Sequence, residues 1–187
     1  MIRIALVGEI GSGKTFISKL FNYPLFNADH EVNKIYKTNR SCFKKLNKKF
    51  PKNITTFPIR KEEIRNILSK KNIKILSKIV HPFVRLNLKK FLKKYSRSEY
   101  VVLDIPLLIE NKIYKKSDVL VFVKTQKKII LKRLLKRGNY NHKILNILRS
   151  QQTTISRKIK LSKFFINNSN NKKTILKKVK EIKKELK

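Results

Sequence analysis

The chain alternates short runs of apolar residues with longer segments in which apolar residues recur every three or four positions. Three runs are almost continuously apolar: Ile2–Val7, Tyr100–Asp104 and Val119–Val123. Such runs are typical of strands that are buried on both faces of a parallel sheet. Shorter runs at Pro24–Asn27 and Phe164–Ile166 predict two further strands, so we expect five strands.

The segments between these runs carry helical periodicity. Helices are predicted after the first strand at Thr15–Phe21, and later at about residues 126–136, 142–162 and 172–186. The loop through Pro106 to Lys116 is expected to contain one short helix. Strands that alternate with helices predict a three-layer α/β fold with a parallel five-stranded sheet.

The region from Glu31 to Ser98 has a different pattern. It is rich in lysine and amphipathic, and the pattern is broken at Pro51, Pro58 and Pro82. Within this region the pattern is compatible with a strand only around Thr55–Phe57. We predict a mostly helical insertion at about residues 31–98 within a core formed by about 1–30 and 99–187. The 187 residues are too few for two ordinary independent domains, so 1–187 is expected to be a single domain.

The charge is strongly unbalanced. With 48 Lys and Arg against 11 Asp and Glu, the formal net charge is +37, which by itself favours nucleic acid or an anionic membrane surface as a partner. Lysine, however, far outnumbers arginine, is spread over nearly the whole chain and accompanies abundant Ile and Asn, as the codon usage of an AT-rich genome would produce. We therefore expect no specific nucleic-acid partner.

Neither a membrane span nor a disulfide is expected. No stretch approaches the roughly 20 apolar residues that a membrane-spanning helix needs. The one cysteine, Cys42, has no partner for a disulfide or a thiolate metal site, so we expect it to pack near a helix face. These features favour a cytoplasmic protein without a membrane partner, and a monomer is the simplest assembly.

A phosphate-binding motif follows the first predicted strand. Gly8–Thr15 (GEIGSGKT) matches G-x-x-x-x-G-K-S/T, between a strand and a helix as the motif requires. The backbone of such a loop and the helix N-terminus bind phosphates, while Lys14 would reach the β- and γ-phosphates and the Thr15 hydroxyl would hold Mg²⁺. The complete motif argues against a chance glycine turn. We predict an ATP site that comprises Ile10, Gly11, Ser12, Gly13, Lys14 and Thr15.

Two carboxylates lie where predicted strands end. Asp29 follows the second strand, at the sheet edge where ligands of open α/β folds bind, and it could take the proton of an attacking hydroxyl. It could equally cap a helix that begins near Glu31, and position alone leaves both interpretations open. Asp104 ends a strand of the Walker B form and is predicted to help bind Mg²⁺, with the pairing of nearby backbone amides as the alternative.

Arg133 and Arg137 stand four residues apart on a predicted helix and therefore share one face. In so basic a chain such a pair is usually solvated. The glycine- and asparagine-containing break at Gly138–Asn141, however, is typical of the hinge of a lid that closes over phosphates. We predict a lid at about residues 133–150 whose arginines face a transferring phosphoryl group.

Asp104–Glu110 (DIPLLIE) resembles the D-x-P-L-L-x-E segment of the dephospho-coenzyme A kinase family. Further segments resemble that family's motifs in the same order: the phosphate loop, Asn27-Ala28-Asp29 in place of its D-A-D, the helical H-P motif at Ile79–Pro82, the lid helix from Leu131 to Arg137, and a C-terminal signature with Ile147, Leu148, Gln151, Arg157 and Asn167-Asn168. The similarity spans essentially the whole chain.

The resemblance implies a kinase that uses ATP and Mg²⁺ and acts on dephospho-CoA. It implies that Asp29 is the base for the ribose 3′-hydroxyl, that Arg133 and Arg137 act on the phosphates, and that the helical insertion carries much of the dephospho-CoA site. It also places Asn168 in the nucleotide site, and it places His81, Pro106 and Leu107 in the substrate site.

Two residues depart from the family pattern. Glu9 replaces the usual second glycine and places a negative side chain beside the phosphate loop, which would lower ATP affinity. Asn27 replaces the first aspartate of D-A-D but leaves the implied base in place.

Two other functions compete with this interpretation. One is a P-loop kinase for a nucleoside, nucleotide or small metabolite, against which D-x-P-L-L-x-E and Asn167-Asn168 argue. The other is a nucleic-acid-binding NTPase, which the charge favours. That class needs aromatic stacking platforms or an organised basic stripe, whereas the aromatic residues here are largely Phe in apolar patterns.

Overall fold

The computed structural model describes residues 1–136, 141–169 and 171–186. The chain divides into two compact units. The first unit is formed by Met1–Asn27 together with Tyr95–Lys187, and the second by Ala28–Lys94.

Five parallel strands form the sheet of the first unit. They are β1 Ile2–Gly8, β2 Leu25–Asn27, β3 Tyr100–Asp104, β4 Val119–Lys124 and β5 Phe164–Asn167, in the spatial order β2-β3-β1-β4-β5. The predicted α/β class and its parallel five-stranded sheet are confirmed. The helices in the described ranges are α1 Lys14–Leu20, α2 Ala28–Thr38, α3 Arg40–Lys49, α4 Lys61–Asn66, α5 Lys70–Lys94, α6 Lys127–Leu135, α7 His142–Arg149, α8 Ile155–Leu161 and α9 Lys172–Glu185.

The core of the first unit joins the central strands to α1 and α9. All five residues of β3 are buried, which explains the unbroken apolar run in its sequence. From the helices, Ile17 of α1 and Val179 and Ile182 of α9 pack in the same cluster as Ile4, Leu6, Val102 and Val121 of the strands. Burial of these apolar side chains is the main force that fixes the sheet and therefore the ends of its strands.

The carboxyl ends of the strands meet at one edge. In the parallel register Gly8 pairs with Val123, and Asn27 pairs with Asp104. Lys124 of β4 likewise pairs with Asn167 of β5. Residues that directly follow these strands are thereby brought close together, although they are far apart in sequence.

Two helix predictions in the first unit are wrong. The helix expected over residues 142–162 is two helices, α7 and α8, because the Thr154 side chain caps α8 by accepting from Arg157 N. The short helix expected between Pro106 and Lys116 is a series of turns, in which Lys112 has a left-handed backbone with φ of 51°.

The second unit is helical, as predicted, and contains α2, α3, α4 and α5. Its core includes Ile35, Leu46, Ile54, Leu76 and Val80. Cys42 of α3 is fully buried, as expected, and burial raises the pKa of its thiol to about 11. No helix in the described ranges is both long and apolar enough to cross a membrane.

Two details of the second unit differ from the prediction. Residues 55–57 form no strand. Helix α5 continues through Pro82, so the break expected there is wrong. A proline costs a helix one hydrogen bond. The buried side chains of Leu76 and Val80 before Pro82, and of Leu88 after it, anchor α5 on both sides of the proline and so outweigh that loss.

Residues 55–60 form a loop that is stabilised by hydrogen bonds to the buried carboxylate of Glu63. Its Oε1 accepts from Thr55 N at 2.8 Å and Thr56 N at 3.1 Å, and its Oε2 accepts from Arg60 N at 2.9 Å and Thr56 Oγ1 at 2.8 Å. Burial raises the pKa of this carboxyl, but the hydrogen bonds outweigh burial and lower it from 4.5 to about 2.

We expect Glu63→Gln to lower the free energy of unfolding at pH 7 by about 1–3 kcal/mol, because one carboxylate oxygen becomes an NH₂ group that faces donors. Since the pKa of Glu63 is depressed in the folded state, its contribution is complete above about pH 4.5 and is lost as the pH falls towards about 2. Denaturant unfolding of the variant and of Glu62→Gln, an exposed neighbour, measures this. A deficit for Glu63→Gln that does not shrink between pH 7 and pH 2.5 would contradict the account.

Candidate active site

The phosphate loop connects β1 to α1 at the carboxyl edge of the sheet. Gly11 and Gly13 have φ of 84° and 87°, a left-handed conformation that glycine adopts readily. A Cβ at Gly13 would lie 2.2 Å from Asn168 Nδ2, so this position has no room for a side chain. The loop closes with a hydrogen bond from Ser12 N to Glu9 O of 3.2 Å.

Three side chains from three different elements donate to one carbonyl oxygen of the loop. Ser12 O accepts from Asn168 Nδ2 at 2.7 Å, from Thr125 Oγ1 at 2.9 Å and from Arg133 Nη1 at 3.3 Å. Because a peptide unit is planar and its C=O and N–H point in opposite directions, these donors turn Gly13 N–H away from themselves. The three contacts therefore fix the orientation of one peptide in the phosphate loop.

The lysine of the motif folds back on the loop. Lys14 Nζ donates to Glu9 O at 2.8 Å and to Gly8 O at 3.3 Å, and the residue is only 8% exposed. Its ammonium group is thus held beside the loop, as a phosphate-binding lysine requires.

A hydroxyl, a carboxylate and an amide meet beside the first turn of α1. Thr15 Oγ1 donates to Asp104 Oδ2 at 2.6 Å, and Asn27 Nδ2 donates to the same oxygen at 2.7 Å. These contacts of Asp104 are with side chains rather than with the backbone amides of the alternative interpretation. Oxygen ligands of this kind suit Mg²⁺, which usually takes one or two protein oxygens and completes its shell with water and phosphate, so Thr15 and Asp104 fit the ion.

Further residues of the predicted site lie in the first unit. Arg133 of α6 also donates from Nη2 to Asn168 O at 3.1 Å, and Ile10 packs against the cluster of Ile130, Leu134 and Leu145. Pro106 and Leu107 lie half-buried in the turn after β3. Arg137 lies outside the described residues.

Asp29 and His81 belong to the second unit. Helix α2 begins at Ala28, so Asp29 is an exposed residue of its first turn and does not cap a helix that begins near Glu31. His81 lies within α5. Burial and the positive charge of Arg85 lower the pKa of His81, which favours the neutral imidazole at pH 7.

Three polar residues of the first unit were missed by the sequence analysis. Thr125 and Asn27 contact the site as described above, and Lys158 of α8 approaches Gly8 O to 3.5 Å. A lone threonine carries no motif, and one lysine among 48 basic residues is not distinguishable by pattern. Asn27 was noted only as a departure from an aspartate.

A parallel sheet of this order, with a phosphate loop between β1 and α1 and a strand-end aspartate beside its threonine, defines a P-loop kinase fold. Two solved structures share the fold. TT1252 from Thermus thermophilus has a TM-score of 0.77 at 23% identity, and the superposition covers 100% of this chain and 98% of the TT1252 chain. A dephospho-CoA kinase from Campylobacter jejuni has a TM-score of 0.65 at 21% identity, and the superposition covers 98% of this chain and 96% of the C. jejuni chain.

Sequence comparison identifies the family. The family model described as dephospho-CoA kinase matches residues 2–174. A dephospho-CoA kinase of Wolbachia pipientis wMel is 33% identical and covers 96% of this chain and 95% of that relative. A dephospho-CoA kinase of Ehrlichia canis (strain Jake) is 30% identical, and the alignment covers 97% of this chain and 94% of that relative. The chain belongs to the dephospho-CoA kinase family, whose members are ATP-dependent kinases.

We expect Asn168→Ala to raise the KM for ATP by roughly tenfold, because the Ser12 carbonyl loses its shortest donor and the adjacent peptide is less firmly oriented. Asn167→Ala is the matched control, since the side chain of Asn167 is exposed and accepts from Ser169 N. Steady-state kinetics at varied ATP measure both. Equal KM values for the two variants would show that the Asn168 contact does not shape the nucleotide site.

Proposed function

We propose that the chain transfers the γ-phosphoryl group of ATP to the 3′-hydroxyl of the dephospho-CoA ribose, giving CoA and ADP. The observation that carries this proposal is the family match over residues 2–174. The phosphate loop supplies the chemical means: Lys14 Nζ contacts the Glu9 carbonyl within it, and Thr15, where the loop meets α1, contacts Asp104.

The phosphates of ATP are proposed to bind the loop from Ile10 to Thr15. The N–H groups of this segment and the N-terminus of α1 attract anions, and Lys14 Nζ would exchange its two carbonyl contacts for phosphate oxygens. Arg133 stands next to the loop through Ser12 O and would turn to the transferring group, and Arg137 is assigned the same task. Asn168 orients the loop and borders the nucleotide.

Thr15 and Asp104 are the residues proposed to hold Mg²⁺. When bound, the ion neutralises charge on the β- and γ-phosphate oxygens. The Thr15 hydroxyl oxygen would bind directly, while Asp104 would hold the ion through water, as strand-end aspartates of this kind usually do. Asn27 keeps the Asp104 carboxylate in a fixed orientation by donating to Oδ2 at 2.7 Å.

The acceptor is proposed to be activated by Asp29, whose exposed carboxylate can take the proton of the ribose 3′-hydroxyl. His81, Pro106 and Leu107 are proposed to contact dephospho-CoA, and the second unit, Ala28–Lys94, to carry much of its site. We further propose that the protein acts in the cytoplasm as a monomer, without a membrane or a specific nucleic-acid partner.

The test of the function is an acceptor panel. Purified protein with Mg²⁺ and ATP is given dephospho-CoA, nucleosides, nucleotides or shikimate, and ADP formation is measured with the phosphorylated product identified by mass. We expect turnover with dephospho-CoA and CoA as the product. Preferred turnover of another acceptor would establish the rival small-molecule kinase, and turnover stimulated by a nucleic-acid oligomer alone would establish the NTPase that the net charge of +37 favours.

The same assay tests the proposed base. Asp29→Asn keeps the size of the side chain but cannot accept the proton, so we expect a loss of roughly 10²-fold or more in the single-turnover rate. Glu31→Gln, two residues later on α2, is the matched control, because its carboxylate accepts from Asn87 within the second unit. A single-turnover rate for Asp29→Asn equal to that of Glu31→Gln would remove Asp29 from the chemistry.

A further inference from the structure

Lys158 of α8 lies in the first unit with its ammonium group almost fully enclosed. Its side chain is 3% exposed, and its Nζ lies 3.3 Å from Glu110 Oε1 and 3.5 Å from Gly8 O. The same Glu110 oxygen accepts from Thr153 N at 2.9 Å. One carboxylate thus joins the turn after β3, the connection between α7 and α8, and the side chain that reaches the phosphate loop.

Burial distinguishes this lysine from the others. Within the described residues, the buried lysines are Lys14 and Lys158, whereas the remaining basic charge is largely exposed. Removal of an ammonium group from water is unfavourable unless a carboxylate and hydrogen bonds compensate for it. Glu110 supplies that compensation through the ion pair with Lys158.

Both buried lysines approach the same carbonyl oxygen. Gly8 O accepts from Lys14 Nζ at 3.3 Å and from Lys158 Nζ at 3.5 Å. If Lys14 moves to a phosphate, Gly8 O loses that donor, and the loss of a partner from a buried acceptor carries a free-energy cost. Lys158 remains at the carbonyl because Glu110 holds it there, and this lowers the cost of the movement.

We propose that Lys158 is a positioning residue of the phosphate site: held by Glu110, it keeps a donor on Gly8 O and so releases Lys14 for the nucleotide. The inference rests on the proposed function for the identity of the nucleotide, but it concerns the loop alone. It also assigns a role to Glu110, the last residue of the D-x-P-L-L-x-E segment: its carboxylate holds Lys158 and the start of α8 beside the loop.

The expected consequence is a loss of nucleotide affinity that is separable from a loss of stability. Lys158→Met leaves Glu110 buried without its cation, so both thermal stability and ADP affinity fall. In the double variant Lys158→Met with Glu110→Gln, the unpaired charge is gone and most of the stability returns. The dissociation constant for ADP stays raised by roughly tenfold in both variants, because Gly8 O still lacks its second donor.

A second buried ion pair provides the matched control. Arg3 and Asp118 form an ion pair whose side chains are 8% and 1% exposed, and Arg3 lies near the start of β1 whereas Gly8 ends that strand. Arg3→Met should therefore lower the unfolding temperature and leave the dissociation constant for ADP unchanged. It separates the general effect of a broken buried pair from an effect on the phosphate loop.

The experiment is calorimetric titration of each variant with Mg²⁺ and ADP, with the thermal unfolding temperature measured on the same samples. The proposal predicts weak ADP binding by the double variant despite its recovered stability. Recovery of wild-type ADP affinity by the double variant, or an equal loss in Arg3→Met, overturns it. The titration contains no acceptor, so it tests the phosphate site alone. A wild type that binds ADP in the titration but does not phosphorylate dephospho-CoA in the acceptor panel refutes the proposed function and leaves this inference standing. Failure of the wild type to bind ADP refutes the phosphate site and this inference with it.

Discussion

The hydrogen bonds accepted by the carbonyl oxygens of the phosphate loop are the constraint on which the site depends. Ser12 O has three side-chain donors, and Gly8 O has two lysine ammonium groups. A loop can bind an anion only if its N–H groups converge, and each carbonyl that is held on the outside turns the next N–H inward. The donors come from the ends of β4 and β5 and from α1, α6 and α8, so the loop geometry is a property of the whole first unit.

Asn27 shows how one departure from the family pattern is accommodated. An aspartate at this position would place two carboxylates next to each other, which is unfavourable unless a cation or a proton lies between them. The Asn27 amide instead donates to Asp104 Oδ2, the oxygen that also accepts from Thr15. The carboxylate of Asp104 is therefore oriented by neutral donors, and the negative charge beside the proposed Mg²⁺ position is smaller by one than with an aspartate at residue 27.

The sheet and the phosphate loop were predictable from the sequence because both depend on local signals. Buried strands give unbroken apolar runs, and the loop has a motif of fixed spacing. Helix ends were less predictable, because the break between α7 and α8 depends on the Thr154 cap and the continuation of α5 through Pro82 depends on tertiary packing. The contacts of Thr125 and Lys158 were not predictable, since they join residues more than a hundred positions apart.

The most direct test of the phosphate loop is the dependence of nucleotide affinity on the number of phosphates. ATP and ADP both carry the β-phosphate that the loop and Lys14 are proposed to bind, so calorimetric titration with Mg²⁺ should give dissociation constants of similar size for the two nucleotides. For AMP, which lacks the β- and γ-phosphates, binding should be weaker by about a hundredfold, the equivalent of roughly two charged hydrogen bonds. AMP binding as tight as that of ADP would contradict the account.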